Sequence, residues 1–78
     1  MTQDEERYFE AYFDLFASQG WKQFIEDMDG LEESINDLAS INDAENFHLR
    51  KGQLQIVRRI LGFESAIKTA YQDQKEYD

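Results

Sequence analysis

The chain has no cysteine, no proline and only four glycines among its 78 residues. Without cysteine there is no disulfide framework, no thiolate nucleophile and no cysteine zinc site, and an intracellular setting is the natural expectation. Without proline, no residue removes a backbone donor from the middle of a helix. His48 is the one histidine, which excludes a two-histidine metal motif within one chain. No apolar run approaches the ~20 residues needed to span a bilayer. The opening residues, Met1 to Glu6, are the reverse of a basic signal-peptide start, so a soluble protein is expected.

Positive charge is also scarce, and it is unevenly placed. Eight Lys and Arg stand against 17 Asp and Glu, for a net charge of −9. Residues 1–46 hold 13 acidic and 2 basic side chains, whereas residues 47–78 hold 4 acidic and 6 basic. An overall field of this sign repels phosphates and anionic membranes, so nucleic acid is disfavoured as a partner. One tryptophan, four tyrosines and six phenylalanines, within a composition that is 41% hydrophobic, set the chain apart from disordered acidic sequences. A single helical domain spanning residues 1–78 is expected. A monomer this small buries only about 60% of the surface its unfolded chain exposes, so self-association would help it.

Helix is indicated throughout, because apolar residues recur at spacings of three and four and no segment keeps a period of two. Thr2-x-x-Glu5 is a capping box that opens a first helix running to about Ala17. Its apolar positions are Tyr8, Phe9, Tyr12, Phe13, Leu15 and Phe16. Ser18-Gln19-Gly20 should end it, with Gly20 accepting a left-handed conformation. A second helix from about Trp21 carries Phe24, Ile25, Met28, Leu31, Ile35 and Leu38. Ser40-Ile41-Asn42-Asp43 marks a turn, and Asn42 or Asp43 should cap the third helix. A connection that short makes the second and third helices antiparallel neighbours.

The third helix is expected from about Ala44 to Lys75, with the polar residues Gln72 to Asp78 fraying. Leu49, Gln53, Ile56, Ile60, Phe63, Ile67 and Ala70 form a heptad seam along it. A second stripe, Phe47, Leu54, Val57 and Leu61, flanks the seam. The combined arc is wider than one neighbour buries, so the first helix or another subunit should cover the second stripe. The fold expected is an all-α three-helix bundle built on a long helical hairpin. A break at Gly62 would turn residues 65–76 into a fourth, shorter helix.

Candidate chemistry is sparse. Asp27-Met28-Asp29-Gly30 resembles a fragment of a calcium loop, but Leu31, Glu32 and Leu38 occupy the positions of a ligand, the obligatory glycine and the bidentate glutamate. No metal or other cofactor is expected. Glu26, Asp29, Glu32 and Glu33 read instead as a solvated acidic surface available to a partner. Serines 18, 34, 40 and 65 lack the context of a nucleophile, so no catalytic residues are assigned and an enzyme is not expected. Arg50, Lys51, Arg58 and Arg59 make a basic stripe on the third helix, suited first to carboxylates of the acidic helices. His48 reads as a surface residue. Tyr8 and Tyr12, with Phe47, Leu54, Val57 and Leu61, are the candidate oligomer or partner interface.

Three short patterns carry a resemblance. Phe13-x-x-Phe16-x-x-x-Gly20-Trp21-Lys22, Phe47-x-x-x-Lys51-Gly52-Gln53-Leu54 and Phe63-Glu64-x-x-Ile67 are similar to small accessory proteins of tailed bacteriophages, particularly T7-like podoviruses. The resemblance implies a virion or head-assembly component, or a small protein that binds host machinery, located in the host cytoplasm or the virion. It brings no catalytic residues. Two functions are therefore expected: a self-associating helical interaction module used in particle assembly, or an acidic mimic of nucleic acid that occupies a host DNA- or RNA-binding protein.

Overall fold

A computed structural model describes residues 1–37 and 40–77. Among these residues there are four helices and no strand: α1 (Gln3–Ala17), α2 (Gln19–Ile35), α3 (Ala44–Leu61) and α4 (Phe63–Glu76). The capping box forms as expected. Glu5 N donates to Thr2 Oγ1 at 3.1 Å, and Thr2 N donates back to Glu5 Oε1 at 3.5 Å. Asp4, Glu5 and Glu6 then line the positive end of α1.

Ser18, rather than Gly20, separates α1 from α2. Its backbone is extended, with φ −75° and ψ 150°. Its hydroxyl donates to Leu15 O at 2.6 Å and accepts from Trp21 N at 3.2 Å, so one side chain closes one helix and opens the next. No glycine has a positive φ, and Gly20 lies inside α2. α2 ends at Ile35, earlier than expected, with Asn36 as its cap; Leu38 lies outside the described residues. Asp43 is the residue that caps α3, accepting from Asn46 N at 2.7 Å.

Gly62 does divide the long third helix. Its φ of −89° and ψ of 0° stay close to the helical path, and its N–H donates to Arg58 O at 3.0 Å, so the chain bends without turning back. α4 begins at Phe63 and holds its shape to Glu76, further than the polar tail suggests. Tyr71 explains this: its ring meets Phe9 and Phe13 edge-on at 5.3 and 5.1 Å, with Lys75 Nζ 5.9 Å above it.

The architecture is two helix pairs in succession, not a three-helix bundle. α2 and α3 form the antiparallel hairpin with the most extensive interhelical contact, and α1 packs on α4. α1 does not reach α3 among the described residues. The cause is the single-residue break at Ser18, which carries α1 past the end of α3 and onto α4. The α-carbons extend 52 × 27 × 16 Å. That length matches the ~48 Å of α1 and α2 laid end to end at 1.5 Å per residue.

Such a shape leaves a thin core. Phe9, Phe16 and Ile67 are buried in the α1/α4 half, with Met1, Tyr12, Phe13, Trp21, Phe63 and Tyr71 packed around them. Val57 is the one buried apolar residue described in the α2/α3 half. The radius of gyration is 16.7 Å, against about 11.5 Å for a compact domain of this length.

Candidate interaction surfaces

The rotation of α3 about its own axis decides which apolar stripe faces outward. Arg58 Nε lies 3.2 Å from Glu32 Oε2 on α2. Arg50 donates to Asp37 O at 3.3 Å and Ser40 Oγ at 2.6 Å in the connection, and to Asn46 Oδ1 at 2.9 Å. These contacts lie on the Val57 side of α3, the side that faces α2. Val57 is therefore 6% exposed, and Leu54 and Leu61 are half-buried. The N-terminal part of the heptad seam faces out instead, with Leu49 62% and Ile56 58% exposed, whereas Ile60 and Phe63 are half-buried and Ile67 is in the core.

Along the first half of α3 this exchanges the two stripes, while Phe63 and Ile67 of the seam lie in the core. Val57 belongs to the protomer's own core and offers almost no surface to a partner, while Leu54 and Leu61 offer part of theirs. Phe47 remains exposed at the edge of a small recess with Ile35, Ile41, Arg50, Lys51 and Leu54. On α1, Tyr12 is half-buried against Phe63, its ring edge-on at 5.1 Å, whereas Tyr8 is exposed.

A surface that the sequence did not single out is the more apolar one. Phe24 and Leu31 of α2 are exposed and one heptad apart, as are Leu49 and Ile56 of α3. Residues seven apart share a helix face. Phe24 and Ile56 line one groove together, with Trp21, Arg59, Ile60 and Phe63, so the two helices present these faces on the same side of the hairpin. The groove encloses about 450 Å³. The signal in the sequence was the heptad seam itself; what the seam could not show was which way it pointed.

The basic residues do not form one stripe. Arg50 is engaged at the connection and Arg58 at Glu32, while Arg59 lies on the opposite flank beside the groove and Lys51 in the recess near Phe47. Of the acidic set, Glu32 is half-buried and paired; Glu26, Asp29 and Glu33 are exposed along the outer side of α2 and make no ion pair within the described residues. Among the described residues, no three His, Cys, Asp or Glu side chains are placed to hold a metal ion. His48 is exposed, its ring 5.6 Å from that of Phe47. No helix among the described residues is long and apolar enough to cross a membrane.

At the joint between the two halves, Glu64 uses both carboxylate oxygens. Lys68 Nζ lies 2.7 Å from Oε2, and Trp21 Nε1 donates to Oε1 at 3.0 Å. The Lys68 ammonium first, and the Trp21 indole second, hold the carboxyl below its ordinary range. The Trp21 bond ties α2 to α4 at this junction. Comparison of the chain with protein-family models, curated proteins and solved structures found no match.

Proposed function

We propose that the chain is a non-enzymatic helical interaction module that works by covering its exposed apolar face with protein. One observation carries this reading. The accessible surface is 6048 Å², roughly 1,000 Å² more than the ~5,000 Å² typical of a folded monomer of this mass, and the Phe24, Leu31, Leu49 and Ile56 face contributes to the excess. Exposed apolar patches rimmed by polar residues are characteristic of binding surfaces. The setting in phage particle assembly rests on the sequence resemblance alone, and it has its own test: the protein should be present in purified particles.

The test of the module itself compares proteins retained from host or infected-cell lysate, together with self-association, for the wild-type chain and a Leu49→Glu, Ile56→Glu variant. The reading requires that association of one kind or the other depend on the face. If the wild type neither self-associates nor retains anything the variant fails to retain, the reading is wrong.

A second reading is favoured by Glu26, Asp29 and Glu33, whose charge no described basic residue neutralises. As an acidic mimic of nucleic acid, the chain would hold a basic DNA- or RNA-binding protein through α2, and it would release that protein as salt rises. Neutralising these three residues together with Glu32 should abolish capture; unchanged capture would remove this reading.

A further inference from the structure

The interaction-module reading leaves open what covers the Phe24, Leu31, Leu49 and Ile56 face. We propose that a second copy of the chain covers it, seated so that α2 of each copy lies on α3 of the other. The inference rests on the module reading and adds an occupant and an orientation to it.

Charge selects the occupant's orientation. Asp27 of α2 and Arg59 of α3 flank the face, whereas Arg50 and Arg58 are engaged within the protomer and Lys51 lies in the recess near Phe47. A twofold axis across the hairpin would set α2 on α2 and oppose acid with acid. An axis along the hairpin sets α2 on α3 twice and opposes acid with base. Both arrangements make each helix antiparallel to both neighbours, as in an up-down four-helix bundle, so charge is what separates them. Either one converts a two-helix layer, which cannot enclose two apolar stripes, into one that encloses both.

A standard interface takes about 800 Å² from each partner, within the roughly 1,000 Å² by which this chain exceeds a compact monomer. The centre of the contact would be the four apolar side chains and the groove beside them. Arg59 lies on that groove, at the outer edge of α3. Asp27 occupies the matching outer edge of α2, three residues after Phe24 and four before Leu31. Across the twofold, Asp27 of one copy meets Arg59 of the other.

Sedimentation equilibrium of the full chain, from about 5 μM to about 500 μM, tests this. The mass expected is twice the 9.3 kDa of the monomer, and it should persist at about 0.5 M salt, where exposed charge interactions are largely screened. The Leu49→Glu, Ile56→Glu variant should sediment as a monomer with its helical circular dichroism intact; Leu49→Gln, a milder change at an exposed position, serves the same comparison if that variant unfolds. Asp27→Arg and Arg59→Glu should each weaken the dimer about threefold to fivefold, and the double variant should recover most of the loss. A monomeric wild type overturns the second-copy inference, while the module reading then stands or falls by retention from lysate. A dimer indifferent to residues 49 and 56 overturns it as well, and charge changes that add without recovery overturn the α2-on-α3 arrangement.

Discussion

Trp21 Nε1 donates to Glu64 Oε1 at 3.0 Å, joining residues 43 positions apart where the two helix pairs meet. The bond spans α2 and α4, elements with no other extensive contact, and Phe63 beside it packs on Tyr12, Phe16 and Trp21. It follows that the angle between the α1/α4 and α2/α3 halves depends on this junction.

Glu64→Gln should lower stability by about 0.3–0.5 kcal/mol at neutral pH, because the amide keeps an acceptor for Trp21 but loses the charge that holds the exposed Lys68. The wild-type carboxyl titrates below its ordinary value of 4.5. A depressed folded-state value stabilises above the unfolded one, and the stabilisation is lost as pH falls through the lowered value. Thermal unfolding followed by tryptophan fluorescence should therefore show a loss below pH 4.5 that is smaller in the Gln variant.

Phe16 touches Tyr12, Trp21 and Phe63 and is 7% exposed. Phe16→Ala should cost about 3–5 kcal/mol, a large share of the stability of a small domain. Tyr8→Ala, at an exposed edge, should cost far less. Urea titration monitored by circular dichroism separates the two.

Gly30 sits in the interior of α2 with nothing within 4 Å of where a Cβ would stand and no positive φ. Gly30→Ala should raise stability by up to about 1 kcal/mol. Ser18→Ala should do the reverse, by about 1 kcal/mol, since the hydroxyl serves the ends of both α1 and α2. Paired melting curves give both values.

Much of the helical content was legible in residue spacing, and Thr2-x-x-Glu5 marked the start of α1 because its two side chains bond locally. The break at Ser18 was less legible. Serine is a common N-cap, but its use as the stop of the preceding helix depends on a hydroxyl orientation that sequence does not display. The largest difference lay in the seam. Heptad spacing placed Leu49 and Ile56 on one face of α3, yet packing on α2 leaves that face outward and Val57 inward, with Arg58 reaching Glu32 on the inward side. Periodicity fixes which residues share a face; only partners distant in sequence fix where the face points.

The absence of cysteine permits the most direct test of the central claim, that the outward seam is covered by protein in the associated state. Single-cysteine variants at Leu49 and, as an outer-surface control, at Gln55 would be labelled with a thiol reagent under reducing pretreatment across a protein concentration series. The account predicts that labelling at position 49 slows as concentration rises while labelling at position 55 stays constant. Equal, concentration-independent rates at both positions, with no protection at 49 on adding lysate, would contradict it.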